Sequence, residues 1–161
     1  MNSRQIRIAM SVAFTGYMLL VSFNNITDYG SNFLFVSMVT GMEDVFSREH
    51  NGWRSITNSS LHHLMYISII LVELCIAILL LLGSIKMIRN YSASAETFHS
   101  SKKLTITGLA SALLLFFVVF ITIAGEWFLM WQSEQWNAQQ TAFSLCTIFL
   151  LALIFMNQNE N

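Results

Sequence analysis

The chain lacks proline and carries unusually few charges. None of its 161 residues is proline, and only 11% are Asp, Glu, Lys or Arg, whereas 55% are hydrophobic. A soluble domain normally carries about 25% charged residues, so this composition excludes a free-standing soluble protein and indicates an integral membrane protein. Because proline is the usual cause of a kink, the helices are expected to run straight.

Other absences narrow the function classes. The two cysteines, Cys75 and Cys146, lie inside apolar runs without CxxC spacing, which is typical of buried small residues. The net charge is −1 and no basic patch with interleaved aromatics occurs, so no nucleic-acid partner is expected. There is no Gly-rich phosphate loop, GxSxG elbow or Cys–His pairing. These absences make an enzyme less expected than a non-enzymatic protein, and no cofactor is expected.

Four apolar runs are long enough for membrane helices, each of which needs about 20 residues to cross about 30 Å of hydrocarbon. They predict spans at about residues 8–27, 64–85, 104–126 and 138–156 of one domain covering residues 1–161. The predicted fold is all-α, a four-helix transmembrane bundle. Arg4 and Arg7 precede the first run, but no small-x-small cleavage site follows it, which favours an uncleaved signal-anchor helix.

The basic residues predict the orientation of these spans. Six of the eight Lys and Arg residues lie on one side: Arg4, Arg7, Lys86, Arg89, Lys102 and Lys103. The positive-inside rule makes that side cytoplasmic. Both termini and the 86–103 loop are then cytoplasmic, and the loops at 28–61 and 127–137 face outward.

The two long connections differ in character. "NFLFVSMVTGMEDVF" (Asn32–Phe46) makes the outer loop between helices 1 and 2 long and apolar, yet it is too short and broken to span. An interfacial or re-entrant segment packed on the outer rim of the bundle is expected. The cytoplasmic "NYSASAETFHSS" is small and polar, as in a simple linker.

Polar residues follow one face of each later span. On span 2, His62, Tyr66, Glu73, Ala77 and Ser84 are 4, 7, 4 and 7 residues apart and share a narrow stripe. Similar stripes connect Gly108 to Glu126 on span 3 and Asn137 to Thr147 on span 4. The strongly polar members concentrate in the outer half, which predicts an outer polar pocket. Its candidate residues are Asn24, Asp28, His62, Tyr66, Glu73, Glu126, Asn137, Gln140 and Ser144.

Glu73 is the strongest single candidate for a functional residue. Insertion scales put the cost of a charged side chain at the centre of a membrane helix at about 2.5–3.5 kcal/mol. In a functional interpretation it binds a proton, a cation or a ligand group. In a structural one it forms a hydrogen bond across the bundle, for example to Ser144 or Tyr17. Glu126 ends span 3 at the membrane boundary, where a carboxylate is either solvated or part of the same pocket.

The histidines and tryptophans have plainer interpretations. Adjacent side chains on a helix point about 100° apart, so His62 and His63 do not easily share one ion, and no HxxxH or ExxH pair occurs. No metal ligand is therefore assigned. The four tryptophans are expected to be interfacial anchors of the aromatic belt: Trp53, Trp127, Trp131 and Trp136.

Several motifs together resemble a bacterial family of predicted small integral membrane proteins, defined as a domain of unknown function. They are Trp53-Arg54 before span 2, the lone Glu73, "NNITDYGSNFLFV" in the first loop and "GEWFLMWQSEQWNAQQ" (Gly125–Gln140). The resemblance covers nearly the whole chain. It implies a four-helix protein of the bacterial inner membrane, with no assigned activity and no catalytic residue to carry over.

Three functions from different classes remain open. The first is a non-enzymatic accessory protein in the lipid bilayer, with an outer pocket and a membrane-protein partner or a second copy of itself. The second is a small proton or cation channel or carrier that uses Glu73 and Glu126. The third is a metal- or cofactor-binding membrane enzyme that uses the outer pocket.

Overall fold

A computed structural model describes residues 2–158, and every regular element in that range is helical. Four helical stretches are long and apolar enough to cross a membrane, which confirms the predicted number of spans: Ser3–Thr27, Ser59–Arg89, Ala95–Trp127 and Gln139–Asn157. The elements in chain order are α1 (Ser3–Thr27), α2 (Tyr29–Thr40), α3 (Arg48–Asn51), α4 (Ser59–Arg89), α5 (Ala95–Ser101), α6 (Lys103–Leu114) with its π-helical continuation Leu115–Trp127, and α7 (Gln139–Asn157). Short 3₁₀ turns occupy Gly52–Arg54 and Met130–Gln132.

The two longest helices begin at side-chain caps. Asn2 accepts a hydrogen bond from the backbone N–H of Gln5 (2.9 Å), and the Gln5 side chain accepts one from the backbone N–H of Asn2 (3.0 Å), a capping box for α1. Asn58 accepts from the backbone N–H groups of Ser60 and Leu61 at the start of α4. Both caps satisfy backbone donors that the first helical turn leaves without partners.

The four long helices pack in chain order, and the contact that closes the bundle, between α1 and α7, is the smallest of them. α1 packs along α4, α4 along α6, and α6 with its π-helical continuation along α7, whereas α1 and α7 meet at few positions. The main core lies between these faces and includes Met18, Leu80, Leu109 and Phe149. The narrow seam between α1 and α7 is therefore the least packed boundary of the bundle.

Close approach of α4 and α6 brings buried hydroxyl groups together. A Cβ on Gly83 would lie 2.4 Å from Thr105 Oγ1 and 2.6 Å from its backbone nitrogen, so only glycine allows this distance between the two helices. Beside it, Ser11 Oγ lies 2.7 Å from Ser84 Oγ and 2.9 Å from Thr105 Oγ1. Hydrogen bonds of this kind between helices contribute modestly to stability in a membrane, and here they connect α1, α4 and α6.

Both termini of the described chain lie at one end of the bundle, here called the terminal end. The Arg4 guanidinium donates to the carbonyls of Tyr91 and Ala93, both at 2.7 Å. Arg7 and Lys102 are buried, and each donates to the carbonyl of Gln158 just past α7, at 3.1 and 2.9 Å. Positive charges at the C-terminal end of a helix interact favourably with the helix dipole.

The predicted linker after span 2 is more ordered than a simple linker. α4 continues to Arg89, and Ala95–Ser101 forms α5, which Ser94 caps by accepting from the Thr97 N–H. Phe98 of α5 is fully buried and lies under the Arg4 guanidinium, 4.8 Å from the ring centroid. The buried Phe98 ring and the Ser94 cap help to fix a short polar helix that composition alone describes as a loop.

The predicted straight helix at 104–126 changes winding at Leu115. From Leu115 to Trp127 the helix is π-helical, with the Phe128 N–H bonded to the Ile123 carbonyl, five residues back, at 3.0 Å. The Thr122 hydroxyl donates to the Phe117 carbonyl over the same interval. π-helical turns occur without proline, so the absence of proline did not ensure regular winding.

Candidate functional site

The opposite end, here called the loop end, is covered by α2 and two loops. α2 follows α1 after Asp28 and packs on the first turns of α4. Tyr29 stacks on His63 and bonds to it through its hydroxyl (2.8 Å), and its ring also contacts Tyr66 at 4.8 Å. Phe33 stacks on His63 at 4.0 Å. These aromatic contacts hold α2 against α4.

A partly open cleft of about 280 Å³ lies beneath α2. One wall, which carries most of the polar groups, comes from facing residues of α1 and α4: Tyr17, Val21, Asn25, Tyr66, Ile69 and Glu73. α2 adds Asn32, Phe35 and Val36, and the π-helical segment adds Phe116 and Phe120. The cleft thus combines one carboxylate, two amides and several aromatic rings.

Glu73 is the only acidic residue among the described residues that line this cleft, and it is 2% exposed. Asn25 Nδ2 donates to Glu73 Oε2 at 2.7 Å, and the buried Tyr66 hydroxyl donates to the Asn25 carbonyl at 2.8 Å. Among residues 2–158 no hydrogen-bond donor reaches Glu73 Oε1, and no basic side chain lies within 4 Å of the carboxylate. Asn25 and Tyr66 therefore fix the position of Glu73 without neutralising its charge.

The structure brings together two of the nine residues expected in the pocket, Tyr66 and Glu73. His62 is buried nearby, where its Nε2 bonds to the Ile56 carbonyl at 2.8 Å and supports the loop before α4. The other six are exposed and do not line the cleft: Asn24, Asp28, Glu126, Asn137, Gln140 and Ser144.

The polar stripe of span 4 is exposed, and its hydroxyl groups bond to their own helix. Ser144 donates to the Gln140 carbonyl at 3.0 Å, and Thr147 donates to the Phe143 carbonyl at 2.9 Å. A hydroxyl satisfied in this way tolerates an apolar environment. α7 instead buries a face that includes Ala142, Cys146, Phe149 and Met156.

Because of the π-helical winding, Glu126 lies away from the span 3 stripe that begins at Gly108. The stripe assumes about 100° per residue, the rotation of an α-helix. In a π-helix each N–H bonds to the carbonyl five residues back, and the chain turns less per residue. The difference between the predicted and the observed direction of the side chains therefore grows from Leu115 to Glu126. Gly108 and Ala112, before the change, are buried, whereas Glu126 is exposed and meets the Gln139 amide at 3.4 Å.

Sequence reasoning left Asn32 and the aromatic wall out of the pocket, and it counted Asn25 among the polar residues of the outer half without making it a pocket candidate. A signal for Asn25 was present, because Tyr17, Val21 and Asn25 follow at intervals of four and so share one face of α1. No comparable signal exists for Phe35, which reaches the cleft only because α2 folds back over α4.

The four tryptophans expected to be interfacial anchors cluster at the loop end. Trp53 and Trp127 meet edge to face at 5.9 Å, and the Arg54 guanidinium lies 5.3 Å from each ring. Trp131 meets Phe46 at 6.0 Å. Trp136 is half-buried and contacts Phe35 of the cleft wall. The first three tryptophans are exposed, and their role as interfacial anchors stays a prediction.

Two loops are joined by hydrogen bonds beside these tryptophans. The Ser133 hydroxyl donates to Asp44 at 2.6 Å and accepts from the Trp136 N–H at 2.7 Å, while Ser47 donates to Gln132 at 2.8 Å. Met42 and Leu129 have φ angles of 53° and 56°, a left-handed backbone that costs a non-glycine residue about 1–2 kcal/mol. Burial of Met42 and the packing of both residues in one apolar cluster offset this cost.

The exposed ion pair of Glu43 and Arg48 at the loop end is expected to depend on pH. Arg48 donates to Glu43, which holds the pKa of that carboxyl below its ordinary value. The pair therefore stabilises the loop above the ordinary pKa of a glutamate and is lost as pH falls through the lowered pKa. We expect Arg48→Gln to raise the pKa of Glu43, measured by NMR titration of the side-chain carboxyl carbon.

Arg54→Gln is the matched control, because Arg54 contacts tryptophan rings and not Glu43. An unchanged Glu43 titration in Arg48→Gln would contradict the assignment. Because both partners are well exposed, the pair is expected to contribute little to overall stability.

The described part of the chain shows no metal site. Within residues 2–158, no group of three or more His, Cys, Asp or Glu side chains is positioned to hold a metal ion. Glu73 alone offers too few ligands for a hard cation, which takes six or more oxygens.

The sequence profile of one protein family, described as "Predicted small integral membrane protein (DUF2165)", matches residues 3–159. The chain belongs to the DUF2165 family. This membership confirms the resemblance drawn from Glu73 and the Gly125–Gln140 segment, and it agrees with the four apolar helices of the fold. Neither a search of curated proteins nor a search of solved structures returned a significant match.

Proposed function

We propose that this DUF2165 protein is a non-enzymatic accessory protein of a bacterial inner membrane, which recognises a membrane-borne partner through the cleft at Glu73. The observation that carries the proposal is a buried carboxylate that Asn25 and Tyr66 position but that no described cation neutralises. Intramembrane carboxylates are functional by default. The described residues of the cleft lack the paired acid, base and nucleophile that catalysis requires.

The proposed orientation puts both termini in the cytoplasm and the cleft toward the outside. Six of the eight basic residues lie at the terminal end or in the helix ends and connection beside it, and the positive-inside rule assigns that end to the cytoplasm. The exposed tryptophans at the loop end then lie at the outer interface.

A channel using Glu73 and Glu126 is less well supported. Beyond Glu73 on α4, Ile76, Ala77 and Leu80 are buried, and Met18 of α1 packs with them. This apolar layer separates the cleft from the hydroxyl groups near Ser84. Glu126 is exposed and does not line the cleft, so the two carboxylates do not form one polar path.

Affinity purification in mild detergent, with mass analysis of the proteins and lipids that co-elute, tests the proposal. We expect a reproducible partner with the wild-type chain and its loss with Glu73→Gln, because the amide removes the charge but keeps the shape. Glu126→Gln makes the same change at an exposed position outside the cleft and should retain the partner. Recovery of the wild-type protein alone in repeated preparations would overturn the proposal.

A further inference from the structure

The described residues of the cleft include one acidic side chain and no basic one, which favours a positively charged ligand. Glu73 is buried, and its Oε1 accepts no hydrogen bond within residues 2–158. A buried carboxylate is costly unless it is paired with a positive group and hydrogen-bonded. No Lys or Arg among the described residues lines the cleft, so only the bound molecule can supply a positive charge to an ionised Glu73.

The walls of the cleft indicate which cation fits. Tyr17, Phe35, Tyr66, Phe116 and Phe120 line it, together with the single carboxylate. Aromatic faces attract ammonium groups, and the attraction strengthens away from water. Among the described residues, no group of three or more His, Cys, Asp or Glu side chains is positioned there to hold a metal ion, which usually takes several such ligands. Aromatic rings around one carboxylate therefore favour an alkylammonium group.

The seam between α1 and α7 indicates what the ammonium group is attached to. An apolar groove of about 200 Å³ runs along it, lined by Ala13, Phe14, Tyr17, Leu145, Ile148 and Phe149. Tyr17 lines both this groove and the cleft, so the two adjoin each other at one side chain. Because α1 and α7 meet at few positions, the groove lies along the least packed boundary of the bundle.

We propose that the cleft and the groove together bind a cationic amphiphile from the surrounding bilayer, with its ammonium group at Glu73 and its aliphatic chain between α1 and α7. The inference rests on the proposed role of the cleft as a binding site and names its ligand class. A zwitterionic phospholipid fits poorly, because its phosphate would approach Glu73 where no described basic residue lines the cleft or the groove.

Direct binding of radiolabelled dodecylamine to the purified full-length protein in a neutral detergent tests this assignment. We expect saturable binding that dodecyltrimethylammonium displaces, whereas dodecanoate and a lysophosphatidylethanolamine of equal chain length do not. Glu73→Gln should raise the Kd about tenfold or more, the effect of losing a hydrogen bond to a charged group. Glu126→Gln should leave the Kd unchanged.

The groove is tested separately from the ammonium site. Ala13→Trp fills the groove and should weaken dodecylamine binding without changing the weaker binding of butylamine. Leu82→Trp, at an exposed position of α4 outside the groove, is the control and should bind both amines like the wild type. Equal loss of both amines in Ala13→Trp would overturn the placement of the chain.

Phe120→Leu provides a variant that leaves Glu73 in place, in case Glu73→Gln does not fold. It removes one ring of the cleft wall and should weaken dodecyltrimethylammonium binding. Equal Kd values for wild type and Glu73→Gln, or displacement by the lysophospholipid as strong as by dodecylamine, would overturn the inference. If dodecylamine binds through Glu73 but purification yields no partner, the accessory role fails and the ligand class stands.

Discussion

Phe149→Ala is expected to lower the free energy of unfolding by about 2–3 kcal/mol. Phe149 of α7 is fully buried and its ring contacts Phe14 of α1 at 5.4 Å and Phe116 of the π-helical segment at 5.8 Å. In a membrane the unfolded chain remains in lipid, so the transfer term largely cancels and the loss of packing remains. Equilibrium unfolding in mixed micelles with increasing dodecyl sulfate measures the change.

Phe143→Ala is the matched control for this prediction. Phe143 belongs to the same helix but is exposed on its outer surface. The same truncation there should change the free energy of unfolding by less than about 0.5 kcal/mol, as surface substitutions usually do. Equal destabilisation by the two variants would contradict the placement of Phe149 at the junction of α1, α7 and the π-helical segment.

Gly83→Ala is expected to destabilise the protein by about 2 kcal/mol or more, because overpacking forces a backbone shift. The added Cβ would lie 2.6 Å from the backbone nitrogen of Thr105 and 2.4 Å from its hydroxyl oxygen, so α4 and α6 have to separate. Separation also strains the hydrogen bond between Thr105 and Ser11. Thermal unfolding of the purified protein, followed by circular dichroism, should show a lower midpoint.

Gly16→Ala is the control for the change from glycine to alanine itself. A Cβ added to Gly16 of α1 would have no atom of a neighbouring element within 4 Å. Alanine favours a helix over glycine by about 1 kcal/mol, so the midpoint should stay the same or rise. A fall as large as that of Gly83→Ala would show that close approach of α4 and α6 is not what requires glycine.

Periodicity predicted the buried face of α4 well, because α4 is a regular α-helix throughout. His62, Tyr66, Glu73 and Ser84 align at about 100° per residue, and all four are buried. The number of membrane helices was also predictable, since the length and apolar character of each run are local properties of the sequence.

The remaining site residues depend on features that periodicity does not encode. Glu126 was misplaced because the winding changes at Leu115, and no proline or glycine marks that change. Ser144 was misplaced because a hydroxyl bonded to its own helix can face lipid. Phe35 and Asn32 reach the cleft through the packing of α2 on α4, a tertiary contact between segments separated by a loop.

The π-helical segment gives the two walls of the cleft different helical registers. Phe116 and Phe120 are stacked at 5.3 Å and both lie in this segment, whereas the opposite wall, including Glu73, belongs to a regular α-helix. Rewinding one turn as an α-helix would rotate the later ring about the helix axis and leave α6 before Leu115 in place. The spacing of the two rings along the cleft is thus set by a π-helical register, and the position of the carboxylate that they face by an α-helical one.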